Sequence, residues 1–246
     1  MSIEFLLYVA AGFAAQLIDG TLGMAYGVTA TTLLLTLGLP PGVASATVHA
    51  AECMTTGVSA VSLHAFGNVR ADLFRRLVVP GVVGAAIGAY ILSSIPGDAM
   101  KPWVAAYLLV MGIVIMTKAF REFPPRVVTT HVAPLGFVGA LVDALGGGGW
   151  GPIVASTLIA RGSDVRQTVG SVNAAEFFVT ASASITFVLM LGLSHWDVIA
   201  GLALGGMLAA PIGAWACARL PVTPLMAGVG VLVVVLSLRT LWSTLF

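Results

Sequence analysis

The chain has 246 residues, 59% of them hydrophobic and 9% charged, with a mean hydropathy of +1.04, which excludes a soluble domain and marks an integral membrane protein. Eleven basic and ten acidic residues leave a net charge of +1, so the chain has no basic field for nucleic acid, and it lacks the short alternating strands of a β-barrel. Cys53 and Cys217 lie in apolar segments without partners at metal-ligand spacing, which points to packing rather than to a disulfide or a metal.

Cut at Gly/Pro breaks and charges, the apolar segments fall near 3–18, 23–38, 42–65, 77–95 and 103–119. No lysine or arginine precedes Arg70, so the first segment lacks the basic start of a cleavable signal and is expected to stay in the mature protein. After a polar linker at about 121–131, a second set falls near 132–145, 152–160, 168–192, 197–218 and 225–243.

The two sets match. Moving the chain by 124 residues lays Gly12-Phe13 on Gly136-Phe137, Asp19 on Asp143, Gly23 on Gly147, Gly27 on Gly151 and Ala50-Ala51-Glu52 on Ala174-Ala175-Glu176. After one inserted residue, Asp72 meets Asp197, Gly88 meets Gly213 and Pro96 meets Pro221. This predicts one transmembrane domain built from a repeat over about 1–120 and a second over about 132–246. If the first two segments of each half form a hairpin, the halves are inverted, and nine basic residues (Arg70, Arg75, Arg76, Lys118, Arg121, Arg126, Arg161, Arg166 and Arg219) share the inner side, with Lys101 and Arg239 outside. A parallel arrangement splits the same residues seven to four. The positive-inside rule selects the inverted one. The expected fold is therefore an all-α, polytopic helical membrane protein of two inverted repeats, each opening with a broken helical hairpin.

Its focal stretch is Gly136 to Pro152, GFVGALVDALGGGGWGP. Each glycine costs ~1 kcal/mol against alanine in a helix interior, so the run Gly146, Gly147, Gly148 and Gly149 should break the helix. Pro152 fits the start of a new one. Backbone N–H groups at such a break, with Trp150 and Gly151 beside it, favour an anion. The equivalent run, Asp19 to Gly27, supplies a weaker break at Gly20, Thr21 and Gly23. In an inverted duplication the two breaks would meet near mid-membrane. Close helix packing is the competing role of these glycines, and it is the expected role of Gly84, Gly88, Ala209 and Gly213.

Asp19 and Asp143 precede the two breaks. They either cap the turn N–H groups or titrate and bind a coupling cation, whereas direct contact with an anion would be repulsive. Ser45, His49, Glu52, Thr56 and Ser59 follow steps of four, three, four and three, which places them on one helical face, and Asn173, Glu176, Thr180 and Ser184 repeat that stripe. Buried carboxylates in membrane helices are costly, so Glu52 and Glu176 mark a polar pathway, and His49 is placed to share a proton with Glu52. Tyr26 and Trp150 occupy equivalent positions where they would shape a cavity or pack. His195 and Trp196 read as a membrane-edge anchor.

With the duplicated half, the run Gly146-Gly147-Gly148-Gly149-Trp150-Gly151-Pro152, the run Ile18-Asp19-Gly20-Thr21-Leu22-Gly23-Met24-Ala25-Tyr26-Gly27-Val28-Thr29 and the Phe66-Gly67-Asn68-Val69 loop, the chain resembles the TauE/SafE sulfite exporters, also grouped as toluenesulfonate uptake permeases. The resemblance covers nearly the whole chain and implies transport, mostly export, of small sulfur-containing anions. The first half departs from the usual pattern in lacking a glycine triplet followed by proline, so the second turn is the stronger carrier of a site.

The expectation is thus a secondary transporter of sulfite or an organosulfonate, working by alternating access in the cell (inner) membrane, with any proton coupling carried by Glu52, Glu176 and His49. Its partners would be the anion and the bilayer, self-association stays open, and no cofactor or nucleotide motif is implied. A proton-coupled cation carrier using Asp19, Asp143, Glu52 and Glu176 is the rival within transport. An intramembrane hydrolase with Asp19 and Asp143 as its dyad is the rival enzyme.

Overall fold

The computed structural model describes residues 3–118, 120, 128–217 and 222–245. Most of the linker at 121–131, with Arg121 and Arg126, lies outside the described residues, as do Arg219 and Pro221. Ten helical pieces run in order: α1 (Ile3–Leu22), α2 (Tyr26–Thr36), α3 (Pro41–Ala65), α4 (Ala71–Ser93), α5 (Gly97–Lys118), α6 (Val132–Gly146), a π turn (Trp150–Ala155) running into α7 (Ser156–Ala160), α8 (Val165–Leu191), α9 (Trp196–Ala216) and α10 (Val222–Leu245). The protein is all-helical and multi-pass, and five of the described helices (α1, α4, α5, α8 and α9) contain stretches long and apolar enough to cross a membrane.

Helix ends follow local chemistry more than hydropathy. Pro41 sits at the start of α3, where a missing N–H costs nothing, and Asp164 caps α8 by accepting from Gln167 N at 2.9 Å. Charged first turns belong to their helices, so α4 begins at Ala71 and takes in Arg75 and Arg76, six residues before the apolar segment expected at 77–95.

The surface is largely apolar, and polar side chains lie buried among the apolar core. Val79, Val83 and Ile87 of α4, Ile185 and Leu189 of α8, and Leu208 and Ile212 of α9 are exposed. Glu52, Asp143 and Asn173 are buried. Trp103, Trp196 and Trp242 stand exposed near helix ends, as aromatic residues do at a membrane–water boundary.

The packing is symmetric under exchange of the halves. α3 pairs with α8 and α5 with α10, while α1 packs on α9 as α6 packs on α4. Small residues set the last two contacts. A Cβ at Gly88 would stand 3.0 Å from Ala144 Cβ, and one at Gly213 would stand 3.0 Å from Gly20 Cα, so helix backbones touch at both crossings.

Contacts at the helix ends fix where each hairpin opens. The start of α3 lies by the end of α8, since a Cβ at Gly42 would meet Leu191 Cδ1 at 3.3 Å. At the other end of that antiparallel pair, Arg70 N donates to Ser171 Oγ at 2.8 Å. The α1–α2 hairpin starts beside α9, whose Gly201 faces Tyr8, and returns into the start of α3. Both ends of the other hairpin, α6 with the π turn and α7, are held beside the start of α4. There Arg76 Nη1 donates to Thr129 O at 2.7 Å, and Arg161 donates to Thr130 O at 2.9 Å and to Thr130 Oγ1 at 2.7 Å. The two hairpins therefore open at opposite ends of the α3–α8 pair. With 15 residues, α6 is about 22 Å long at 1.5 Å per residue, shorter than a ~30 Å hydrocarbon core.

Candidate functional site

The first break spans Gly23 to Ala25 and the second spans Gly147 to Gly149, between α1 and α2 and between α6 and the π turn. The first residue of each break has the same backbone angle at the 124-residue offset, Gly23 with φ +67 and Gly147 with φ +68, and the following residues diverge, Ala25 having φ +143 and Gly149 φ −176. Two expected boundaries move. Gly20 and Thr21 lie inside α1 rather than in the break, because Gly20 is pressed on Gly213 and Thr21 Oγ1 donates back to Leu17 O at 2.6 Å. Pro152 does not open the second helix. That helix begins two residues earlier, at Trp150, where a carboxylate supplies the cap, and Pro152 sits within the first turn, whose N–H groups lack intrahelical partners in any case.

The carboxylate is that of Asp143. Its Oδ1 accepts from Gly149 N at 2.6 Å and Trp150 N at 3.0 Å, and its own carbonyl accepts from Gly148 N at 3.1 Å and from the Gly147 N–H. The four-glycine turn is thus already wrapped around a carboxyl group supplied by the chain. Its carbonyls are held as well: Thr31 Oγ1 of α2 donates to Gly147 O, and Tyr107 Oη of α5 donates to Gly148 O at 2.9 Å. Neither Thr31 nor Tyr107 stands out in the sequence, since Ala155 and Leu232 occupy their positions at the repeat offsets.

The breaks touch back to back. A Cβ on Gly27 would stand 2.9 Å from Gly148 Cα, one on Gly148 would enter the Gly27–Val28 backbone, and one on Gly151 would stand 2.8 Å from Met24 Cβ. These glycines allow two backbones to meet where any side chain would part them. Gly146 is the last residue of α6, against the Tyr107 ring. Trp150 and Tyr26 are both fully buried and tied to neighbouring helices, Trp150 Nε1 donating to Val172 O at 3.1 Å and Tyr26 Oη to Leu202 O at 3.2 Å, which makes them braces behind the seam.

His49 does not pair with Glu52, one turn along α3. It crosses to α6, with Nε2 3.1 Å from Asp143 Oδ2, while Nδ1 lies 2.8 Å from Ser45 O. A carbonyl oxygen only accepts, so Nδ1 carries a hydrogen, and a further proton must lie between Nε2 and Oδ2 for that contact to be a hydrogen bond. Ser45 Oγ ties the same turn to Ala144 O at 2.9 Å. In the other half Asn173 takes the place of His49, and the outcome differs. The Asp19 carboxylate lies against the Tyr26 backbone and the Asn173 side chain, yet Asp19 Oδ2 and both amide atoms of Asn173 have no hydrogen-bond partner. Glu52 Oε1 backs onto Gly27, within 3.6 Å of where its Cβ would stand, whereas Glu176 Oε2 is unpartnered. The four carboxylates share one buried core, each at most 3% exposed.

The first break also holds a strained residue. Ala25 adopts φ +143, a region that glycine enters freely and a side chain does not. Ala25→Gly is expected to raise stability by about 1 kcal/mol, visible as a higher unfolding temperature of the purified protein in detergent. An unchanged or lower temperature would show that the turn tolerates its alanine without strain.

Residues 8–240 match the profile of a family described as "Sulfite exporter TauE/SafE". The chain is 40% identical over 248 aligned positions to a protein of Bacillus subtilis (strain 168) named "Probable membrane transporter protein YtnM", covering 97% of this chain and 83% of that one. No solved structure gives a significant match.

Proposed function

From the premise that the chain belongs to the TauE/SafE sulfite exporter family and is a multi-pass transporter of the cell membrane, we propose that it is a secondary transporter of a small sulfur oxyanion, sulfite or an organosulfonate, working by alternating access. One observation carries the reading: two broken hairpins, opening at opposite ends of the α3–α8 pair, meet backbone to backbone at Gly27–Gly148 and Met24–Gly151. Discontinuous helices that meet inside a membrane protein are a standard way to present backbone dipoles to a substrate. The opposed openings, and the contacts that gather Arg76 and Arg161 on one side, support the inverted-repeat arrangement.

In this reading the N–H groups of Gly149 and Trp150 are the anion ligands, and Asp143 holds their place when substrate is absent. An arriving oxyanion takes over those two donors as Asp143 withdraws toward His49, which already shares its other oxygen. The exchange keeps the buried N–H groups paired throughout, which avoids the ~1–3 kcal/mol cost of an unsatisfied buried donor. Gly147, Gly148 and Gly151 set the close approach of the breaks, and Gly23 shapes the opposite wall.

The test is flux of labelled sulfite by the purified protein in proteoliposomes, with sulfonates or alkali cations as competitors. Sulfite counterflow above that of empty vesicles, inhibited by sulfonates and indifferent to cations, is the expected result. A proton-coupled cation carrier would ignore sulfite, and flux equal to empty vesicles sinks the anion reading. A hydrolytic dyad fits poorly, because the Asp143 carboxylate is committed to two backbone N–H groups and His49 rather than sharing a proton with Asp19.

A further inference from the structure

The two halves present the same carboxylates in different states of satisfaction. On one side Asp143 and His49 complete each other, and both ring nitrogens of His49 are engaged. On the other, Asp19 Oδ2, Asn173 Oδ1 and Nδ2, and Glu176 Oε2 are buried without partners, on side chains 1%, 0% and 3% exposed. Unpaired buried polar atoms are rare in native proteins and ask for an explanation. Gln16, fully buried one turn before Asp19 on α1, also leaves both amide atoms unpartnered. At the repeat offset Gln16 corresponds to Ala140, so this polarity belongs to the first half alone.

Charge narrows what can complete such a group. Facing Asp19 are Glu176 and Asn173 from α8, Glu52 from α3, Asp143 from α6 and Tyr26 from α2, while His49 of α3 is turned to Asp143. From α9, packed along α1, the one acid is Asp197, which lies by Tyr8 at the far end. No lysine or arginine among the described residues is buried, and no three His, Cys, Asp or Glu among them converge as metal ligands would. Bare carboxylates in such a core would each cost several kcal/mol. A proton is the ligand that neutralises one and at the same time supplies the missing donor.

We propose that Asp19, Asn173 and Glu176 form a proton-binding site, separate from the His49–Asp143 pair, that carries the coupling proton of transport. The coupling clause rests on the transporter reading, and the proton site itself does not. The Asn173 amide lies beside Asp19, and Glu176 follows it one turn along α8, so a proton shared between the two carboxyl groups has a neutral amide within the same site. His49 is excluded from this role because both its nitrogens are already occupied.

Infrared difference spectra of the full-length protein, taken across a pH titration, test the site without reference to flux. The expected result is a protonated-carboxyl band that titrates, is lost in Asp19→Asn or in Glu176→Gln, and is retained in Asp143→Asn. Two near-isosteric variants guard against one failing to fold. A band kept in both, a band removed only by Asp143→Asn, or no titrating band overturns the proposal. In proteoliposomes, wild-type sulfite flux that ignores an imposed pH gradient would overturn the coupling role. Absence of any sulfite flux beside the expected spectra would strike the substrate reading and leave the proton site standing.

Discussion

Asp143→Ala is expected to destabilise the protein by about 3–5 kcal/mol, the usual result of removing one member of a buried, hydrogen-bonded charged pair. The substitution strips Gly149 N, Trp150 N and His49 Nε2 of their partner in one step, in a fully buried setting. Asp143→Asn should lose much less. Its carbonyl oxygen can accept from the same two N–H groups, and its amide can donate to Nε2 once Nδ1 carries the imidazole hydrogen. Unfolding temperatures in detergent check both, and an Asp143→Ala protein as stable as wild type would mean that the cap is ornamental. The comparison also bears on transport, since the asparagine variant keeps the turn's geometry while removing the charge that a substrate anion would replace.

Gly148→Ala is the second large effect, and it acts on the seam. At φ +155 the residue has a conformation that costs an alanine on the order of 1–3 kcal/mol, and its Cβ would enter the Gly27–Val28 backbone, which cannot swing aside as a side chain would. The two breaks must part, and sulfite flux in proteoliposomes is expected to fall to that of empty vesicles. Gly38→Ala separates strain from contact, because Gly38 has φ +94 but nothing within 4 Å of its Cβ position. It should keep its flux. Equal losses in both variants would place the effect in local strain, and full flux in Gly148→Ala would remove the seam from the mechanism.

The sequence legibly carried the features that repeat or that break a pattern. Four successive glycines announce a helix break by their cost in a helix, and in the structure each also sits where a side chain would clash, while the matched Asp19 and Asp143 announce two related turns. Boundaries were harder where one residue serves two ends. Gly20 reads as part of a turn, yet its lack of a side chain serves the contact with Gly213, a partner far along the chain. Pro152 reads as a helix start, but the true start is set by a side-chain carboxylate that folds back from Asp143. Helical spacing pairs His49 with Glu52. The longer reach of the imidazole to α6 decides otherwise, and nothing local to α3 encodes it. Thr31 and Tyr107 stay hidden for a different reason: Thr31 is one of four threonines on α2, Tyr107 lies on an apolar helix, neither has a counterpart in the other half, and both gain meaning only when the Gly147 and Gly148 carbonyls are placed against them.

The seam between the hairpins has an electrical consequence. A membrane potential acts on a moving charge with about 2.3 kcal/mol per elementary charge per 100 mV, and it drops mainly across whatever insulates the two aqueous sides from each other. In the transporter reading proposed above, hairpins that reach inward from opposite ends and meet at Gly27, Gly148, Met24 and Gly151, with Thr31 on the Gly147 carbonyl, place their seam within that insulation. Under that proposal an anion passing the seam would move its charge through part of the voltage, so the membrane potential and the relative shift of the hairpins would act on the same step.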